Sequence, residues 1–159
     1  MKIVQIATFP IDITRIKGGV EASVYGLAIE QSINHEVVIC DLPRTELQKD
    51  ECILFNKMHI ARFASHGHNN LAALSRLKDY MEFIREQKPD ICHIHTTSLF
   101  CLVVYILLRF NKIPSIITVH GLAHIEKRNL LRRKKNIKNI LKYITYSLTE
   151  FIFLSLCRK

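Results

Sequence analysis

With 159 residues the chain has the length of one domain and is short for a two-domain enzyme. Hydrophobic residues at 48% and charged residues at 23%, with only five Gly and four Pro, exclude a disordered or fibrous chain. The net charge of +9 is uneven: Lys127, Arg128, Arg132, Arg133, Lys134, Lys135, Lys138 and Lys142 supply eight of the 23 basic residues, which implies an acidic partner surface.

In chain order, Lys2 to Ala7 predicts a first strand rather than a signal peptide, because the short apolar run ends at Pro10 and no small-residue cleavage pattern follows. Val20, Val24, Leu27 and Ala28 recur at helical spacing and predict a first helix opened by Gly18-Gly19. Glu36 to Asp41 and the weaker Met58 to Phe63 read as further strands. Ser65-His66-Gly67-His68-Asn69-Asn70 reads as a loop that starts a helix, with Asn69 or Asn70 as N-cap and Leu71, Leu74, Leu77, Met81 and Ile84 on its apolar face. Asp90 to His95 predicts a buried strand.

Ser98 to Arg109 predicts a helix apolar nearly all round, hence sandwiched; its run from Leu99 to Leu108 is about half the length of a bilayer span. Ser115 to His120 predicts the next strand. From near Asn136 a last helix carries Ile137, Ile140, Leu141, Ile144, Leu148, Phe151 and Ile152 on one stripe, with no evident partner and no Gly or Pro to close it. Strands alternating with helices give a Rossmann-like, doubly wound α/β domain over residues 1–159, with a parallel sheet and helices on both faces. Cys40, Cys52, Cys92, Cys101 and Cys157 include no CxxC pair, and Cys40, Cys92 and Cys101, each inside an apolar run, read as reduced core residues of a cytoplasmic protein.

In such sheets ligands bind beyond the carboxyl ends of the strands, where the strand order reverses. Three features should reach that edge. Gly18-Gly19-Val20-Glu21 combines two residues without Cβ atoms and a helix amino terminus, which suits a phosphate; a plain turn with Glu21 on the dipole explains it too. His120 ends a strand before Gly121 and can donate to a sugar hydroxyl or a developing charge, though a lone His is also an ordinary packed or solvated residue. In Asp90-Ile91-Cys92-His93-Ile94-His95-Thr96, period-two alternation puts His93 and His95 on one face, with His95 and Thr96 nearest the edge. A metal set would add Cys92, His120 or His124, but neither CxxC nor HExxH spacing is present, so no metal is expected. The chain has no GxSxG elbow and no P-loop, which sets aside those hydrolases and nucleotidases, and no acidic residue is obviously placed for a ribose.

Met1-Lys2-Ile3-Val4 leading to Gly18-Gly19-Val20-Glu21, then Pro89-Asp90-Ile91-Cys92-His93-Ile94-His95, then Pro114 to Gly121 ending in Thr-Val-His-Gly, resembles in order and spacing the amino domain of family 4 glycosyltransferases. The resemblance spans nearly the whole chain and about half of such an enzyme. It implies the amino-terminal half of a GT-B fold, a nucleotide-sugar donor held mainly by a carboxyl-terminal domain absent from these residues, a glycan or lipid-linked acceptor, and retaining transfer without an obligatory metal or other cofactor. By motif, Gly19, with Gly18, would approach the donor diphosphate and His120 the donor sugar near the reacting centre; His95 and Thr96 would be acceptor-side candidates. The basic residues that neutralise the diphosphate and the paired Glu of the family belong to the other domain, so this chain alone is expected to be inactive.

Three alternatives stay open: a Rossmann-like module for a nucleotide or partner, a non-enzymatic membrane-recruiting subunit, and a nucleic-acid binder. The last ranks lowest because no aromatic residues interleave with Arg132 to Lys135. Glu126 to Lys142, with Arg132, Arg133, Lys134, Lys135 and Lys138 among Leu130, Leu131, Ile137, Ile140 and Leu141, is a candidate surface for an anionic membrane on its cytoplasmic side; a solvated basic face reads the same way.

Overall fold

The computed structural model describes residues 1–67, 70–121, 125, 128–129 and 136–157. Six strands form one sheet in the order β3-β4-β2-β1-β5-β6: β1 (Lys2–Ala7), β2 (Glu36–Asp41), β3 (Glu51–Phe55), β4 (Met58–Arg62), β5 (Ile91–Ile94) and β6 (Ser115–Ile117). All neighbours are parallel except the β3–β4 hairpin. The order runs outward from β1 in both directions, toward β2 on one side and β5 on the other. The switch point of this doubly wound sheet therefore lies at β1 and β5.

The central strands are apolar on both faces because both faces are covered. On one side Val24 and Ala28 of α1 (Gly19–Ser32) pack on Val37, Ile39, Met58 and Ile60. On the other, Val4, Ile6, Val38, Cys40, Cys92 and Ile94 meet α2 (Asn70–Ser75), α3 (Leu77–Glu86) and α4 (Leu99–Phe110). The sequence predicts one helix through Leu71 to Ile84, but the chain breaks at Arg76, whose backbone turns to φ −87°, ψ −1° and whose guanidinium pairs with Asp50 and Asp79. Helix α4 is sandwiched as its all-round apolar character requires, and Ser98 caps it by accepting from the Cys101 N–H at 3.2 Å.

The last helix, α5 (Ile137–Cys157), docks on α4 through buried Phe153, stacked on Tyr105 with centroids 5.4 Å apart, while Arg109 donates to the Leu156 carbonyl at 3.1 Å. The apolar stripe foreseen on this helix faces outward. Leu148 is 57% and Phe151 71% exposed, and Ile137, Ile140, Leu141, Ile144 and Ile152 are exposed with them.

Strand β3 was not foreseen. It pairs antiparallel with β4 through Asn56-Lys57, both at positive φ, a two-residue hairpin turn without glycine. Its Cys52 is exposed, whereas Cys40, Cys92 and Cys101 are buried free thiols, as their apolar runs imply, and burial raises their pKa. The strand expected through His120 ends at Ile117 instead, although the Thr118 N–H still donates to the Ile94 carbonyl at 2.8 Å.

Candidate functional site

Beyond the carboxyl ends of β1, β5 and β6 opens a cleft of about 400 Å³, lined by Thr8, Lys17 to Glu21, His95 to Thr97 and Val119 to Gly121. It gathers five residues singled out from sequence: Gly18, Gly19, His95, Thr96 and His120. Arg132, Arg133, Lys134 and Lys135 lie outside the described residues, as do His68, Asn69 and His124, and Lys138 falls in the first turn of α5.

One wall is the amino terminus of α1. Gly18 occupies the N-cap in extended backbone, φ −169°, with no side-chain cap. Neither Gly18 nor Gly19 has a positive φ, so their use is space rather than a left-handed turn. A Cβ built on either meets nothing within 4 Å. The first-turn N–H groups, free by the geometry of any helix start, border this open space together with the positive end of the helix dipole. Lys17 also lines the cleft, a cation just before the glycines that the motif reading passed over.

Glu21 steadies that wall. Its Oε2 accepts the Lys17 N–H at 2.9 Å and its Oε1 lies 3.9 Å from Arg44 Nη2. Arg44 belongs to a buried polar knot that sequence reasoning missed altogether. Asp41, fully buried at the end of β2, accepts the Phe9 N–H at 3.1 Å and lies 2.9 Å from Arg44 Nε and 3.6 Å from Arg62 Nε. The guanidiniums also donate to main-chain carbonyls, Arg44 to Phe9 and Arg62 to Pro10, the latter at 2.8 Å. An acid at the end of β2 is where a dinucleotide-binding fold holds a ribose, but this carboxylate is consumed internally. Burial raises its pKa to about 6, against the pull of Arg44, the Phe9 N–H and Arg62, so it is ionised at neutral pH.

The other wall is a ladder across β5 and β6. His93 registers with Ile116, so each imidazole on this face reaches diagonally to the residue two further along the partner strand. His93 Nε2 lies 2.7 Å from Thr118 Oγ1, and His95 Nδ1 lies 3.1 Å from His120 Nε2. The His93 and His95 rings are 3.9 Å apart; those of His95 and His120 are near parallel at 5.4 Å. His95 is 2% exposed, and burial, then the neighbouring His93 and His120, lower its pKa to about 3. His93 is lowered by burial first and by His120 second. Both are therefore neutral at pH 7, whereas His120 is exposed at the rim. Among the described residues no group of three or more His, Cys, Asp or Glu could hold a metal ion.

Thr97, also in the cleft wall, donates to Glu150 Oε1 of α5 at 3.2 Å, both side chains being buried. Thr96 is half-buried beside it.

The family model described as Glycosyltransferase Family 4 matches residues 17–155, which takes in the glycine corner, the histidine ladder and most of α5. No curated protein matches the sequence significantly. With a doubly wound sheet, a cleft at its switch point and a family match over most of its length, the chain belongs to glycosyltransferase family 4.

Proposed function

We propose that the chain supplies the acceptor-side half of a retaining transferase that moves a hexosyl unit from a nucleotide sugar to a glycan or lipid-linked acceptor, in synthesis of a cell-surface polysaccharide or glycolipid. The observation that carries this reading is one cleft that brings the side-chain-free start of α1 to the same edge as His120. In this reading the diphosphate lies against Gly18, Gly19 and the α1 N–H groups, with Lys17 as countercharge. His120 meets the sugar where charge develops. Thr96 offers a hydroxyl on the acceptor side. No obligatory metal enters this scheme, because helix N–H groups and cations receive the negative charge.

Donor binding is shared with a second, carboxyl-terminal domain, so residues 1–159 alone bind a nucleotide sugar weakly and turn nothing over. The test is titration of the 15N-labelled chain with UDP- and GDP-hexoses, read by amide shifts. Millimolar binding that perturbs Gly18, Gly19, Val20 and Gly121 supports the reading; perturbation only elsewhere, or none at any concentration, overturns it. Transfer catalysed by the chain alone would refute the division of labour.

A second feature extends the proposal to the acceptor. The outward apolar stripe of α5 follows directly on the basic stretch of residues 127–135 in sequence, and together they suit the cytoplasmic face of an anionic bilayer. No helix among the described residues is long and apolar enough to cross a membrane.

A further inference from the structure

We propose that His95 is a positioning residue for His120: it locks the His120 imidazole in the tautomer that presents Nδ1–H, a hydrogen-bond donor, to the cleft. The functional use of that donor rests on the reading above; the tautomer itself does not.

The argument starts from proton accounting at a 3.1 Å contact between two ring nitrogens, His95 Nδ1 and His120 Nε2. One of them must carry the proton and the other must accept it. The choice is decided at the far side of the His95 ring. His95 Nε2 is enclosed and has no hydrogen-bond partner among the described residues. If that nitrogen bore the proton, a buried N–H would be left without an acceptor, which is rarer in folded proteins than an unused lone pair and carries the full desolvation cost. With the proton on Nδ1 the far nitrogen is only an unused lone pair. The His95 Nδ1–H then donates to His120 Nε2, and a neutral His120 keeps its single proton on Nδ1.

The neighbouring rung follows the same rule. His93 Nε2 lies 2.7 Å from Thr118 Oγ1 while its buried Nδ1 has no partner, so the proton belongs on Nε2 and is donated to the threonine. The two rungs share a 25-residue separation and the same two-residue diagonal offset, so the parallel register that builds one builds the other. Contact of the His93 and His95 rings, tilted by 34° with centroids 3.9 Å apart, restrains both side chains.

The consequence is chemical. With Nε2 engaged, the neutral His120 offers the cleft a donor and no lone pair. It recognises an oxygen acceptor, such as a sugar hydroxyl oxygen or an anionic oxygen, and cannot take up a proton from a bound hydroxyl through Nε2 without breaking its bond to His95.

The test is long-range 1H–15N correlation of the histidine rings in the 15N-labelled chain at pH 7, without ligand. We expect His120 and His95 both protonated on Nδ1, each with a bare Nε2. His95→Phe keeps a buried ring but removes the donor, and should release His120 to a mixture of tautomers. His95→Asn puts an amide nitrogen near the lost Nδ1 and should restore the locked pattern. A His120 protonated on Nε2 in the parent, or an unchanged His120 signature in His95→Phe, overturns the proposal. Should a variant fail to fold, the parent spectrum alone still decides. Because proton positions are read in the free chain, the expected tautomers without nucleotide-sugar binding would sink the functional reading and leave this one standing.

Discussion

Replacing His95 by Phe should flatten the acid limb of the stability curve. His95 is almost fully buried and its folded pKa is lowered to about 3, whereas an unfolded His titrates near ~6.5. Between those values the unfolded chain carries a proton that the folded chain refuses, so stability is complete above about pH 6.5 and is lost as pH falls toward 3. The slope is about 1.4 kcal/mol per pH unit for one proton, and integrating it from pH 6 to pH 4 gives about 2.5 kcal/mol. His93, also lowered by burial, acts in the same direction. Asp41 acts in the opposite one: its folded pKa, about 6, lies above the unfolded value of ~3.9, so its contribution is present at low pH and fades as pH rises through 6. The parent chain should therefore lose stability only moderately on acidification from pH 6 to pH 4. His95→Phe, with the Asp41 term no longer opposed by His95, should show that loss reduced by about 2.5 kcal/mol. Whatever constant cost the substitution brings cancels in this comparison. Urea unfolding followed by far-UV circular dichroism suits a chain without Trp. Parent and variant curves that stay parallel from pH 6 to pH 4 would refute the reasoning.

Gly19→Val puts a branched side chain into space where a glycine Cβ would meet nothing within 4 Å, and should weaken nucleotide-sugar binding roughly tenfold or more with little change in the melting curve, since Gly19 needs no positive φ. Asp41→Leu leaves the guanidiniums of Arg44 and Arg62 without their shared carboxylate and should cost about 3 to 5 kcal/mol by urea titration; a cost below about 1 kcal/mol would show the knot to be ornamental. In co-sedimentation the chain should bind anionic but not neutral vesicles, each basic residue near the surface adding about 1 kcal/mol, and changing Arg132, Arg133, Lys134 and Lys135 to Gln should abolish the preference. Equal binding to both vesicle types would return that stretch to a solvated basic face.

The parallel strands and α4 were legible because burial on both faces leaves an unbroken apolar run, and α5 because its stripe persists from Ile137 to Ile152, about four turns. Strand β3 was not: Glu51-Cys52-Ile53-Leu54-Phe55 is an exposed edge whose side chains need not alternate, and Asn56-Lys57 turns without the glycine that usually announces a hairpin. Arg76 looked like one more residue of a continuous helix because its partner Asp50 is 26 positions away. The site divides in the same manner. Gly18-Gly19 and the His-x-His of β5 carry local signatures, and period two placed both imidazoles on one face. That His95 reaches His120, and Thr97 reaches Glu150, depends on strand register and helix docking, which local pattern does not encode.

The cleft's chemistry follows from what its supporting contacts leave over. On the β2 side, Asp41, Arg44 and Arg62 hold the main chain at Phe9 and Pro10, fixing where the loop after β1 leaves the sheet. Glu21 then ties Lys17 to the first turn of α1, so the helix starts at Gly18 with its N–H groups toward the opening. On the β6 side, the two imidazole rungs pin Thr118 and His120 to β5. Acceptors along these walls are largely spent: the Asp41 carboxylate on guanidiniums, Glu21 on Lys17, and His120 Nε2, on the proton placement proposed above, on His95. What faces the opening is mainly a set of donors, the α1 N–H groups, Lys17 and His120 Nδ1–H. Under the function proposed above, such an excess suits a ligand rich in anionic and hydroxyl oxygens, which is the chemistry of a sugar diphosphate.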